Sequence, residues 1–75
     1  MHIRVLNPAK VVFDGMASSV FLPGDQGEFE ILDHHAPIIS LLRAGEVTID
    51  WTTRIRIEKG IAKFDENECT ILVNI

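Results

Sequence analysis

The stretch that decides the fold is "EVTIDWTTRIRIEK", residues 46–59, where apolar and polar side chains alternate along two consecutive runs. Successive side chains of a β-strand point to opposite faces, so this alternation predicts two half-buried strands of an antiparallel sheet. The apolar residues predicted to share the buried face are Val47, Ile49, Trp51, Ile55 and Ile57. The charged side chains between them are expected to face solvent.

The same period of two recurs at both ends of the chain. Ile3 and Val5 alternate with polar residues in "HIRVL", and Cys69, Ile71 and Val73 share one face of "ECTILV". We therefore expect Cys69 to be a small buried hydrophobe rather than a reactive thiol. As the single cysteine of the chain, it has no partner for an internal disulfide.

Turn-forming residues divide the chain into short segments at near-regular spacing. These markers are Pro8, Asp14–Gly15, Pro23–Gly24, Gly27, Gly45, Gly60 and the polar cluster "DENE" at 65–68. Pro23–Gly24 suits the centre of a type II turn, because proline sets the first dihedral angle and glycine accepts a positive φ at the second position. We predict one all-β domain over residues 1–75, a small antiparallel β-sandwich or flattened barrel of about eight to ten short strands.

The segment "APIISLLRAG", residues 36–45, is open to two interpretations. A helix would have Pro37 near its first position and Gly45 just past its end. A fully buried strand would explain the apolar run equally well, and periodicity does not separate the two for so short a segment.

The composition excludes several classes of function. The 75 residues carry a net charge of −4, and the seven Lys and Arg residues are scattered singly, so we predict no nucleic-acid binding. No apolar run is long enough to span a membrane, and the N-terminus shows no secretory signal, so we expect an intracellular protein. Hydrophobic residues make up 47%, which is high for so small a domain and predicts an exposed apolar surface that meets a partner.

The adjacent histidines in "ILDHHAP" are the first candidates for chemistry. Asp33 and His35 could share one side of an extended segment and bind a metal, whereas His34 would point away. A zinc centre needs three or four ligands, and His2 is the only other histidine. We favour one histidine bonded to the loop backbone and one facing solvent or a partner, with no metal and no cofactor.

Other catalytic patterns are weak. The serines lack the Gly-x-Ser-x-Gly context of a nucleophile, and the glycines match no phosphate-binding loop. Glu28 and Glu30 fit a solvated strand face better than an acid–base pair. Two alternatives to an interaction protein stay open: a small metal-dependent β-barrel enzyme using Asp33, His35 and His2, and a ligand-binding sandwich.

The aromatic residues fall mainly at strand positions where core packing is expected. These are Phe13, Phe29, Phe64 and Trp51. Phe21 lies on the opposite strand face from Val20 and Leu22, so it is a candidate contact residue.

Four segments together resemble the N-terminal β-sandwich domain of the epsilon subunit of F-type ATP synthase. They are "NPAKVVFDG" (7–15), "SSVFLPGDQGEFEIL" (18–32), "HAPIISLLRAGEVTI" (35–49) and "KGIAKFDENECTILV" (59–73). The resemblance covers nearly the whole chain and includes Leu-Pro-Gly, Gly-Glu-Phe and His-Ala-Pro in order. It implies that residues 38–43 form a strand.

The resemblance also implies a non-catalytic rotor part that binds the gamma subunit of the central stalk and rests on the polar loops of the membrane c-ring. It implies a peripheral location at the cytoplasmic face of a bacterial inner membrane. The residues it implicates at these contacts are Gly27, Glu28, Phe29, His35, Ala36 and Pro37. Glu28 is implied to face the ring, while His35 lies near the stalk and ring.

Two departures from the family are expected to matter. Asp33–His34 replace the turn that commonly precedes His-Ala-Pro, so these two residues and Phe21 are weaker interface candidates. Relatives usually continue into a C-terminal helical hairpin, whereas this chain ends at Ile75. We therefore predict that these 75 residues contain no C-terminal helical domain, bind no ATP and provide no hairpin-type inhibition.

Overall fold

A computed structural model describes residues 1–74, which form nine β-strands. Their bounds are β1 (His2–Leu6), β2 (Val11–Met16), β3 (Ser19–Gly24), β4 (Gly27–Leu32), β5 (Ile38–Leu42), β6 (Gly45–Ile49), β7 (Thr53–Ile57), β8 (Lys59–Asp65) and β9 (Glu68–Asn74). The all-β prediction is confirmed, and the strand expected from the resemblance over 38–43 is present as β5. These residues contain no helix long and apolar enough to cross a membrane.

The strands form one curled sheet that folds into two layers. The first sheet has the order β2-β1-β9-β8-β5, and the second has the order β4-β3-β6-β7. The layers are joined where Gly24 of β3 pairs with Leu42 of β5. The β1–β9 pair is parallel, and the other pairings are antiparallel. In the described residues, β2, β4 and β7 each have one neighbouring strand and form the edges.

The core lies between the inward faces of the two sheets. It contains the apolar residues that the alternation assigns to the buried side, except Trp51. Ile55 is only partly buried. The most deeply buried large side chains are Phe64, Ile3, Leu22, Ile31, Ile49, Ile57 and Ile71. Cys69 is fully buried, and burial raises the pKa of its thiol to about 11. The prediction that Cys69 is a buried core residue is confirmed.

Trp51 was predicted to face the core, and this is wrong. The strand ends at Ile49, and Asp50 and Trp51 form a turn with φ of 49° and 66°. The N–H of Thr52 closes the turn by donating to the Ile49 carbonyl at 3.2 Å. Two positive φ angles in a row are the mark of a type I′ hairpin turn, whose twist matches that of the flanking strands. The indole therefore leaves the sheet and is 63% exposed.

The type II turn predicted at Pro23–Gly24 is also wrong. Both residues belong to β3, and the turn lies two residues later at Asp25–Gln26. The reason is that β3 and the residue after it are also hydrogen-bonded to β5 and to the β5–β6 connection. The Pro23 carbonyl accepts a hydrogen bond from the Arg43 N–H at 2.9 Å, and the Asp25 N–H donates to the Leu41 carbonyl at 2.8 Å. These bonds extend β3 to Gly24, so the chain cannot turn earlier.

Candidate interaction surfaces

The outward face of the first sheet carries a row of apolar side chains, one from each of its five strands. Pairing registers place them side by side in the order Val11, Leu6, Leu72, Ile61 and Leu41. We call these five residues the apolar row. Leu41 is 61% exposed, Val11 53% and Leu72 50%. A continuous apolar strip of this kind on a small domain marks a surface that meets a partner.

The apolar row continues into a groove at the end of the sheet. The groove has a volume of about 840 Å³, and its lining includes Leu6, Leu41, Ile61 and Leu72. The next row of outward side chains contains Arg4 and Lys63, which pair with Thr70 on β9 from either side. The same row also contains Asp14, which pairs with Arg4, and the exposed Ile39, which pairs with Lys63, so the border of the apolar row carries both signs of charge.

The sequence pattern did not single out the apolar row, although a signal was present. In "TILV", "GIAK" and "IISLL", apolar residues occupy outward strand positions where the alternation predicts polar ones. Cross-strand register is needed to see that these exceptions align, because Val11 and Leu72 are far apart along the chain.

Gly27, Glu28 and Phe29 begin β4, next to the β3–β4 turn. Gly27 has φ of 128°, a value that favours glycine, and Glu28 is exposed on the outward face of the second sheet. Phe29 is half-buried and packs on Gly24, where an added Cβ would lie 2.7 Å from the ring. The backbone around Glu28 is thus fixed by the turn and by Phe29, while the Glu28 carboxylate stays free to meet a partner.

His35, Ala36 and Pro37 lie in the loop that follows β4, so they sit at the opposite end of that strand from Glu28. A six-residue strand is about 20 Å long. His35 Nδ1 is 2.6 Å from the Ala36 carbonyl oxygen, and its ring packs edge-on against Phe64 at 6.0 Å. The prediction that one histidine bonds the loop backbone is confirmed, and the loop is anchored over the end of the first sheet.

Asp33 and His34 also anchor this loop. The Asp33 carboxylate pairs with the α-amino group of Met1, and the His34 N–H donates to the side-chain oxygen of Asn67 at 2.8 Å. His34 has φ of 64° and an exposed side chain.

The metal-dependent alternative finds no support in this arrangement. His2 lies on the outward face, and its ring nitrogens contact Asp14 and Glu68 rather than Asp33 or His35. Within residues 1–74, no group of three or more His, Cys, Asp or Glu side chains is placed to hold a metal ion.

His2 links three strands through its ring nitrogens. Nε2 lies 2.5 Å from Asp14 Oδ1 on β2, and Nδ1 lies 3.7 Å from Glu68 Oε2 on β9. The hydrogen bond to Asp14 raises the pKa of His2 above its ordinary value; the Asp14 charge and the Glu68 contacts act in the same direction, while burial opposes them. The protonated imidazole therefore ties β1 to both of its neighbours.

This geometry predicts a pH-dependent stability. A raised folded pKa means that the His2 contribution is fully present below the unfolded pKa of about 6.5 and is lost as pH rises through the folded value. We expect the urea midpoint to decrease as the pH is raised from about 6 to about 8.5. The decrease should be smaller in His2→Gln. His34→Gln is the matched control, and its urea midpoint should change with pH as much as that of wild type. If the urea midpoints of wild type and His2→Gln changed equally with pH, the ion pairs of His2 would not be the source of the pH dependence.

Comparison with known proteins gives a family match over the chain. The family model described as "ATP synthase, Delta/Epsilon chain, beta-sandwich domain" matches residues 1–75. An ATP synthase epsilon chain from Campylobacter curvus is 40% identical, over 99% of this chain and 60% of the relative. One from Gloeothece citriformis is 37% identical, over 99% of this chain and 56% of the relative. The chain thus spans less than two thirds of the length of these relatives.

A solved structure shares the fold. A chain in the cryo-EM structure of the Tetrahymena thermophila mitochondrial ATP synthase central stalk and c-ring superposes with a TM-score of 0.82 at 18% identity. The match covers 99% of this chain and 63% of that one.

Proposed function

Since the chain belongs to the ATP synthase delta/epsilon chain family through its β-sandwich domain, we propose that it is a non-catalytic central-stalk subunit linking the gamma subunit to the membrane c-ring. In this role it supports the coupling of proton translocation to ATP synthesis. It works at the cytoplasmic face of a bacterial inner membrane, held there by the complex. The domain itself has no ATP site in this proposal.

The observation that carries the proposal is the apolar row. Five neighbouring strands present apolar side chains outward, and a small domain gains little by exposing them to water. We assign this surface to gamma, whose binding buries it. Because gamma binds the folded domain and not the unfolded chain, its binding also raises the apparent stability of the domain.

The loop of residues 33–37 is also assigned to gamma. His35 packs on Phe64 of β8, and His34 bonds Asn67 in the β8–β9 turn, so this loop borders the first sheet. His35, Ala36 and Pro37 then lie near the stalk, with Asp33 and His34 holding the loop in place. Phe21, on the outward face of the second sheet, has no part in the gamma surface.

Glu28 is assigned to the c-ring. It lies on the edge strand β4 of the second sheet, and its carboxylate makes no ion pair with any residue of 1–74. An exposed acid suits a ring loop that carries a positive charge, where it fixes register more than affinity. Gly27 and Phe29 shape the backbone that presents it.

A charge reversal tests this assignment. Glu28→Lys changes an exposed side chain, so the unfolding midpoint should stay within about 0.5 kcal/mol of wild type. In the assembled ATP synthase reconstituted into membranes, we expect a severalfold loss of ATP synthesis driven by an imposed proton gradient. Glu46→Lys, an equally exposed acid on β6, is the matched control and should synthesise ATP normally. If Glu28→Lys also couples normally, Glu28 makes no functional contact with the ring.

A further inference from the structure

The outward face of the second sheet has acids along one edge and arginines along the other, with one further acid, Glu46 of β6, next to Arg56. The edge strand β4 presents Glu28 and Glu30, and the opposite edge strand β7 presents Arg54 and Arg56. Ion pairs among residues 1–74 are confined to Met1 with Asp33 and His2 with its two acids, so these four charges are unpaired within the described chain. One face of the molecule therefore has an acidic border and a basic border about three strand spacings apart.

Pairing registers show that the two borders are in line. Phe21 pairs with Glu30 on one side and with Thr48 on the other, and Thr48 pairs with Arg54. The row across the face is thus acid, aromatic, hydroxyl, base. One carboxylate oxygen of Glu30 is buried by the chain itself and has no hydrogen-bond partner within residues 1–74, so the other oxygen is the one available to an outside group.

Two aromatic rings meet on this face. The rings of Phe21 on β3 and Trp51 in the β6–β7 turn lie edge to face with centroids 4.9 Å apart, and Trp51 is 63% exposed. Tryptophan is one of the residues enriched at binding hot spots. The type I′ turn at Asp50–Trp51 fixes its position, since the Asp50 carboxylate accepts from the N–H groups of Ser18 and Ser19 at 2.8 and 3.1 Å.

We propose that this face associates with the same face of a second copy of the chain, forming a symmetric dimer. Two identical faces can meet around a twofold axis in the plane between them, and the two limiting directions of that axis are along the strands and across them. With the axis along the strands, β4 of each copy lies over β7 of the other. Glu30 then meets Arg54 of the other copy, and Glu28 meets Arg56.

The alternative axis is excluded by charge. With the axis across the strands, β4 lies over β4 and β7 over β7, so acids meet acids and arginines meet arginines. The charge pattern therefore favours the axis along the strands over the axis across them. Each interface contains four acid–arginine contacts together with Phe21 and Trp51 of both copies.

The size of the face predicts a weak dimer. Four strands spaced about 4.8 Å apart and about six residues long give a face roughly 20 Å on each side. Two such faces bury roughly 800 Å² in total, which is below the range of stable interfaces, so only weak association at high micromolar concentration is expected. Since the interface covers Glu28, the dimer is a form of the free chain that cannot at the same time place Glu28 against another partner.

Analytical ultracentrifugation of the full chain from low micromolar to millimolar concentration tests this proposal. We expect a monomer–dimer equilibrium that weakens in high salt, because screening acts on the exposed charge pairs. Arg54→Glu should weaken association at least about tenfold, as should Glu30→Arg. The double variant carrying both changes restores opposite charges across the interface and should recover dimer formation. Circular dichroism checks that each variant is folded.

Leu72→Gln in the apolar row is the control for self-association through the other sheet, and it should leave the equilibrium unchanged. A chain that stays monomeric at millimolar concentration overturns the proposal and leaves the face to a different molecule. A dimer that is lost in Leu72→Gln but kept in Arg54→Glu also overturns it, as does a double variant that fails to recover.

Discussion

Ile61→Lys is expected to weaken binding to the gamma subunit by about 30-fold or more. Ile61 lies between Leu72 and Leu41 in the apolar row, on the outward face of β8. A residue at the centre of a well-packed interface costs about 2 kcal/mol or more when it is lost, and each 1.4 kcal/mol is about tenfold in affinity. A buried lysine adds a desolvation cost to this loss. Isothermal titration calorimetry against purified gamma measures the effect.

The matched control is Leu32→Lys, which makes a similar apolar-to-lysine change on the other sheet. Leu32 is 52% exposed on β4, so both variants add one charge to an outward position. The account predicts normal gamma binding by Leu32→Lys and an unfolding midpoint near wild type for both. If the two variants lose affinity equally, or if Ile61→Lys binds as wild type, the apolar row is not the gamma surface.

Phe64→Ala is expected to destabilise the domain by about 3–5 kcal/mol, the usual cost of removing a buried phenylalanine ring. Phe64 is 1% exposed at the centre of the core, and it also supports the ring of His35. Small domains have a free energy of unfolding of about 5–15 kcal/mol, so this loss removes much of the total. Urea unfolding followed by far-ultraviolet circular dichroism measures it.

Phe21→Ala removes the same atoms from an outward, half-buried position and is the matched control. We expect it to cost less than half as much as Phe64→Ala, because Phe21 contacts Trp51 at the surface rather than the core. Comparable losses would mean that the two sheets do not enclose the core around Phe64.

The period of two predicted most of the core from the sequence, because the alternation records which face of each strand is buried. It identified Ile3, Val5, Val47 and Ile49 correctly. It failed at Trp51 because strand length is set by the turn, and a turn with two positive φ angles has no strong signal in "IDWTT". It failed at Pro23–Gly24 because hydrogen bonds from β5 and the β5–β6 connection extend β3 through that pair.

The surfaces were harder to predict than the fold. Glu28 and His35 lie seven positions apart and were found in one short stretch, yet the structure places them at opposite ends of β4. The apolar row joins residues from five strands, and its existence depends on register, which one strand alone does not encode. The line of opposite charges across the second sheet also depends on register, because Glu30 and Arg54 are aligned only through the intervening strands β3 and β6.

The central claim is tested most directly by mixing the full chain with the gamma subunit of its own organism and recording native mass spectra. The account predicts a one-to-one complex at micromolar concentration that survives Glu28→Lys and is lost in Ile61→Lys. Spectra that show only the separate proteins at those concentrations would contradict the proposal that this domain is a stalk subunit bound to gamma.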